Sequence, residues 1–428
     1  MKLRLHLSAI TLVLIPSILC RLSLASADTE GGQRRFEVRD SVEMSYFGTI
    51  GDSQPDELDD DGIVSPDGRR VVKVTHRGVL PEGVTEGTIW MFDAPAVERG
   101  INNAKAQVPA PVALTRISAT TNGIDFVAER GNTISKLKWS ADSGSLLFLG
   151  RHGRGNRQLF RVDVETHALD ALTSPTQNVV DYAVSGRAIA YLAGTDLKEE
   201  QAWWSVGPGI PDITVGTGQS LLELLYPHWS ETFHGEVPLE VWQIQNGVAA
   251  PVIDRRTHAV VRISTRYVDE ALGISPDGTH LVTLGSPRPP DDSPEGATTK
   301  GKRNPQYRLI DLELGTDEPL VNSAIVELGG DGRYRIAWSP SGTAIALSGT
   351  TVPAAAGSSS ATASAPCTVA IISLPAHQTR CVVIPPDQAR GALYALQWKP
   401  SEREILVRYK HRGSYTYVDT LISRRGSE

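Results

Sequence analysis

The 428-residue sequence predicts an all-β fold, a β-propeller of about seven four-stranded blades, with six to eight compatible with the spacing. Three observations predict it. First, a turn signature recurs: Ser65-Pro66-Asp67-Gly68 and Ser275-Pro276-Asp277-Gly278 are echoed at Ser140-Ala141-Asp142-Ser143-Gly144, Ser339-Pro340-Ser341-Gly342 and Pro400-Ser401, and more weakly at Ser185-Gly186. Second, each copy stands between two short apolar runs. In the clearest unit two hairpins follow one another, over 136–140, 145–150, 158–165 and 169–173, which makes four antiparallel strands. Third, 39 glycines and 27 prolines accompany 40% apolar residues, so there are too many breakers for a helix bundle and too much apolar content for a disordered chain.

Taken in order, residues 1–27 have the layout of a cleavable export signal. Lys2 and Arg4 precede an apolar run from Leu7 to Cys20, and Ala25-Ser26-Ala27 closes it, with cleavage expected after Ala27. The run is shorter than the ~20 residues a membrane span needs, and no later segment is long and apolar enough to cross. The mature chain is therefore expected in the periplasm or secreted. Residues 28–64 form an extension leading into the propeller, which occupies 65–428. With a formal charge of −7, to which the signal contributes three cations and no acid, a nucleic-acid partner is disfavoured.

Proline presets φ at an early turn position, Asp or Ser bonds back to the backbone, and glycine supplies positive φ, so these residue types suit these places. The long interval from 185 to 275 has room for two blades, and Leu239–Gln245 with Ala259–Ser264 are read as the hidden one. Trp139, Trp338 and Trp398 recur just before the turn and are read as core residues between blades. A blade cannot bury both faces alone, so the repeats stack into one core. Cys367 and Cys381 flank a hairpin turning at 375–378. Pairing Leu374 with Thr379 sets Cys381 opposite Ile372, about 16 Å along the strand from Cys367 at 3.3 Å per residue. That is beyond disulfide reach, so two buried thiols are expected.

At these motifs the sequence resembles the TolB-like propeller repeat, and more specifically the propeller of the prolyl oligopeptidase family of serine peptidases. The local anchors are Asp40-Ser41-Val42-Glu43-Met44, Ser65-Pro66-Asp67-Gly68, and Thr75-His76-Arg77-Gly78 leading to Ile89-Trp90-Met91-Phe92-Asp93. The resemblance implies a propeller that gates access to a following α/β-hydrolase domain carrying a Ser, Asp and His triad. The sequence to Glu428 leaves no length for that domain.

No Gly-x-Ser-x-Gly nucleophile elbow occurs. Ser220 has Leu222 in place of the second glycine, and Ser359 lies in an Ala/Ser-rich flexible loop at 354–365. No histidine pair has zinc spacing, His411 reads as a strand-end residue, the acidic run 56–62 lacks the alternation of a calcium loop, and Lys300, Lys302 and Arg303 sit in a Pro/Gly-rich loop. No catalytic residue, metal or cofactor is expected.

The segment 196–242 breaks the blade rhythm and holds four of the eight tryptophans, with its best short helix at 219–225. Trp203, Trp204, Tyr226 and Trp229 are the candidate contact residues for a partner, since aromatics bring large desolvated area and a polar handle to interfaces. The function expected is a non-catalytic exported propeller binding a peptide or protein ligand. The alternative is a truncated or split peptidase of that family, with the hydrolase on a separate chain or lost.

Overall fold

In the computed structural model the described residues are 35–47, 63–103, 105–120, 133–194, 237–265, 272–287, 306–321, 334–352, 365–374, 376–383, 389–411 and 417–424. The chain divides into two compact units, residues 1–155 with 159–171, and residues 156–158 with 172–428. The export signal, the acidic run, the 300–303 cations and the Ala/Ser-rich loop up to residue 364 lie outside the described residues.

The first sheet contains β1 (Tyr46–Phe47), β2 (Ile63–Val64), β3 (Arg70–Val79), β4 (Val84–Asp93) and β5 (Val112–Thr120). Here β1 and β2 both pair with β3, and β4 and β5 follow in antiparallel order. The second sheet runs β6 (Ile134–Trp139), β7 (Ser145–Arg151), β8 (Arg157–Asp163), β9 (Leu169–Ala171). In the first unit, Val72, Ile89, Leu114 and Ile117 of the first sheet pack on Leu146, Phe148, Phe160 and Val162 of the second. The alternating runs that marked these segments as strands bury one face of each sheet against its neighbour.

In the second unit the third sheet is β10 (Asn178–Ser185), β11 (Ala188–Gly194), β12 (Val237–Gln245), with β13 (Val248–Pro251) and β14 (Arg262–Thr265) sharing the outer side of β12. The fourth is β15 (Leu272–Ile274), β16 (His280–Pro287), β17 (Gln306–Asp311), β18 (Asp317–Pro319), and β14 joins it through Ile263 opposite Pro287. The fifth is β19 (Ile336–Trp338), β20 (Ala344–Val352), β21 (Ala365–Ser373), β22 (Gln378–Val382), and the sixth β23 (Ala389–Trp398), β24 (Glu404–His411), β25 (Tyr417–Ser423). Separate apolar cores fill the space between third and fourth, fourth and fifth, and fifth and sixth sheets.

Two expectations are corrected. Leu239–Gln245 is no part of a hidden blade, because Ile189↔Ile244 and Ala193↔Glu240 make β12 the third strand of the sheet that begins at Asn178. The Ser185 hydroxyl also bonds the Pro276 carbonyl at 3.2 Å, so the turns on either side of the long interval are direct neighbours. Six such groups of strands stand among the described residues, the third and fourth joined through β14 and β16, and a seventh is not confirmed. Cys367 and Cys381 form a disulfide with Cα atoms 5.6 Å apart. The hairpin turns one residue earlier than expected, with Ile372 opposite Thr379 and Cys381 opposite Ala370. Pairing ends at Val369↔Val382, so Cys367 lies beyond the ladder, where straight-strand arithmetic no longer sets its distance.

Two devices repeat through both units. In each turn the residue at the signature's first position and the one five later exchange a backbone bond, as in Ser65 N–H to Arg70 C=O at 2.8 Å and Ser275 N–H to His280 C=O at 2.8 Å. The serine hydroxyl accepts the same later N–H, at 3.0 Å for Arg70, 2.9 Å for Ser145 and 3.0 Å for Ala344. The fourth turn position is left-handed, filled by Gly68, Gly278 and Gly342 but also by Ser143 and Glu402. The tryptophans form the second device. Trp139 donates its indole N–H to Ile63 C=O at 3.0 Å, Trp338 to Gly273 at 3.1 Å, and Trp398 to Ala337 at 2.9 Å. Each acceptor lies two residues before the turn of the preceding sheet, so one indole ties each of these three pairs of sheets at the same place.

Candidate functional site

A cleft of about 640 Å³ opens in the second unit between the third and fourth sheets. Its walls are two turns of one design, Asp254-Arg255-Arg256-Thr257-His258-Ala259 and Asp311-Leu312-Glu313-Leu314-Gly315-Thr316. In each, the first Asp carboxylate accepts the backbone N–H groups two and three residues on, at 2.8 and 3.2 Å for Asp254 and 2.8 and 2.8 Å for Asp311. The fifth residue is left-handed, His258 at φ 58° and Gly315 at φ 70°. The same turn closes β8–β9 with Asp163 and His167, and His377 is left-handed in the β21–β22 hairpin. This second repeat escaped the reading of the sequence. Its common signal is an Asp followed four places later by a His or Gly, two residue types that tolerate positive φ.

The two turns grip each other. Arg255 N–H donates to Leu314 C=O at 3.0 Å, and the Arg255 guanidinium pairs with Glu313 at 3.0 Å. Gly315 packs so tightly that a Cβ there would stand 2.2 Å from the Ile253 carbonyl oxygen. On the cleft floor Arg262 is held by Glu240 at 2.9 Å, and the other Glu240 oxygen accepts the Trp242 indole N–H at 3.2 Å. Trp242 stacks on buried Tyr191, with centroids 6.1 Å apart, and burial pushes the Tyr191 phenol up to about 12. Asp317 closes the far wall. Burial raises its carboxyl, against the lowering effect of Arg308, which donates to it at 2.8 Å. Backbone bonding from Arg256 holds the Asp254 carboxyl below the ordinary range. The cleft thus offers three guanidinium groups, of which Arg255 and Arg262 are paired with carboxylates.

One constellation has the residue types of a triad. Thr279 Oγ1 lies 2.7 Å from His280 Nδ1, and His280 Nε2 is 4.0 Å from Asp311. The threonine proton is already donated to Asp277 at 2.8 Å, so His280 must donate to the hydroxyl rather than withdraw its proton. The group finishes the turn that starts at Ser275. Among the described residues no cluster of three His, Cys, Asp or Glu is placed to hold a metal ion.

Trp203, Trp204, Tyr226 and Trp229 lie outside the described residues, as do Ser220 and Ser359. Of the aromatic segment only its end is described: from Val237 onward it is strand β12, and Trp242 belongs to the third sheet rather than to an insertion. His411 is the last residue of β24.

No family model matches the sequence, and no curated protein does. The β-propeller domain of the Trilobed protease from Pyrococcus furiosus is similar at 9% identity and a TM-score of 0.42, over 84% of this chain and 79% of that one. TolB from Acinetobacter baumannii is similar at 11% identity and 0.34, over 87% and 73%. An acylaminoacyl peptidase from Pyrococcus horikoshii is similar at 11% and 0.41, over 90% of this chain and 46% of that one, so the chain spans less than half of that peptidase. The described residues are mostly β, with several four-stranded antiparallel sheets and two short helices, Val38–Glu43 and Ala94–Asn102, and the solved structural neighbours include propellers of prolyl oligopeptidase family peptidases and of TolB.

Proposed function

We propose that this chain is an exported β-propeller that binds a peptide or protein ligand and carries no catalytic residue of its own. The observation that carries the reading is how the polar side chains of the turns are used. The serine and aspartate of the signature turns, and the aspartate of the second turns, are spent on the same internal bonds at several places in the chain. A constellation repeated from sheet to sheet is scaffold, whereas a catalytic site is a single departure from the repeat. Export is supported by the order of charge, apolar run and small residues at 1–27 and by the Cys367–Cys381 disulfide, which suits an oxidising compartment.

The test is to pan the purified chain against a random peptide library and, separately, to treat it with a fluorophosphonate serine probe. Retention of a peptide family without probe labelling is expected. Covalent labelling of a serine overturns the non-catalytic reading in favour of a peptidase, and retention of no peptide overturns the ligand class. Trp203→Ala and Trp229→Ala reduce retention if the aromatic segment forms the contact surface; equal retention removes those residues from it.

A further inference from the structure

We propose that the outer edge of β25 receives an extended peptide from another polypeptide, paired antiparallel as the fourth strand of the sixth sheet. The inference rests on the ligand class above and gives it a place and a mode. In the other five sheets the third strand is covered: β4 by β5, β8 by β9, β12 by β13 and β14, β17 by β18, and β21 by β22. Among the described residues β25 pairs with β24 alone.

The phase of the ladder says which backbone groups face the open side. Arg424 N–H donates to Arg403 C=O at 2.7 Å, which makes that a bonded pair, and bonded and non-bonded pairs alternate along an antiparallel ladder. The pairs 422/405, 420/407 and 418/409 are therefore bonded, and Asp419, Leu421 and Ser423 direct N–H and C=O outward. Arg380 of the fifth sheet checks the assignment, since its guanidinium reaches the Ser423 carbonyl at 2.7 Å. Asp419 and Leu421 remain as the template for an incoming strand.

This edge also lacks the protection given to three of the other edges, although β5 and β22 are likewise free of lysine and proline. The outer strands β9 and β18 are three residues long, and β13 and β18 end in Pro251 and Pro319, which cannot extend a ladder. By contrast β25 has seven residues and neither lysine nor proline. Its one acid, Asp419, is neutralised by two bonds from Arg408 at 2.6 and 2.9 Å. Leu421 is 49% exposed on the same face as Asp419, while Ile422 and Val418 of the opposite face pack in the core. The occupant implied is a short uncharged strand of about three to five residues, as in most sibling sheets, with an apolar side chain beside Leu421.

Amide exchange of the full chain, followed at Asp419 and Leu421, tests this with an acetylated, amidated Thr-Val-Thr-Val-Thr peptide and its alternately N-methylated form. The unmethylated peptide should slow both amides by about tenfold at about ten times its dissociation constant. The methylated peptide should do nothing. Leu421→Pro, which leaves only the Asp419 amide to report, should abolish the response there without moving the thermal midpoint, because the lost N–H points out of the sheet. Exchange already as slow as in β24 in the free monomer means the chain covers its own edge, and slow exchange that appears with doubled mass means a second copy does; either overturns the proposal. A peptide that is retained with both amides unaffected, and equally by Leu421→Pro, overturns this site and leaves the ligand reading standing, whereas a chain that retains no library peptide fails that broader reading.

Discussion

Replacing Trp398 by phenylalanine removes an indole N–H from the Ala337 carbonyl while keeping most of the aromatic volume. Trp398 is 6% exposed, so water cannot readily take the place of the lost donor. The substitution forfeits a hydrogen bond worth about 0.5–1.5 kcal/mol net, while the Ala337 carbonyl keeps its ladder partner Ala346 on the neighbouring strand. A loss of about 1–1.5 kcal/mol is therefore expected, less than the about 3–5 kcal/mol of Trp→Ala, which adds a cavity. The assay is urea unfolding followed by far-UV circular dichroism, with stability taken from the midpoint at unchanged slope. Trp90→Phe is the control for the chemistry, because its indole donates to the Thr75 hydroxyl within the first sheet and ties no second sheet. If Trp398→Phe stays within about 0.3 kcal/mol of the parent, below the about 1 kcal/mol expected of even a minimal loss, the indole bond is not what couples the fifth and sixth sheets.

Reducing the Cys367–Cys381 bond, whose sequence separation is 14, should cost about 3 kcal/mol by loop entropy, read as a lower thermal midpoint in dithiothreitol that Cys381→Ser reproduces. Gly68→Ala and Gly315→Ala both place an alanine at positive φ, but a Cβ on Gly68 meets open space and one on Gly315 meets the Ile253 backbone, so the first should cost about 1–2 kcal/mol and the second clearly more. His167→Gly and His258→Gly should leave stability equal or raise it by about 1 kcal/mol, since each relieves a left-handed side chain; a substantial loss would show that the ring has a role beyond the turn. The Ser65 hydroxyl and Arg69 N–H depress the Asp67 carboxyl, and hydrogen bonds to Asp163 and Asp254 depress theirs. A depressed folded-state value adds stability that is present above the unfolded value of about 3.9 and lost as pH falls through the folded one. Asp163→Asn should therefore lower stability in the neutral region, where the ionised carboxylate contributes, and flatten the acid limb of the profile below about pH 4, where the variant and the parent converge.

The turn signature and the tryptophans before it were legible in the sequence because both depend on local chemistry that admits few residue types. The second turn hid because its backbone bonds are made by an aspartate at one end and a tolerated φ at the other, leaving the three residues between free to vary: Val-Glu-Thr at 164–166 and Arg-Arg-Thr at 255–257 serve the same loop. The place of β12 hid for another reason. Strand β12 pairs with a strand more than forty residues upstream, and no local pattern reports a partner at that distance. Departures from a signature carried information that glycine counting discarded. Ser143 and Glu402 stand where other copies have glycine, and both reach back to the turn before: Ser143 Oγ accepts Asp67 N–H at 3.1 Å, and the Glu402 carboxylate takes both the N–H and the hydroxyl of Ser341. The cost of about 1–2 kcal/mol for a left-handed side chain is offset by a bond that glycine cannot make. On that reasoning Glu402→Gly relieves strain yet destabilises, whereas His258→Gly only relieves it. Two substitutions of one kind at equivalent φ therefore move stability in opposite directions, and the sign depends on whether the side chain joins two sheets or merely ends a loop.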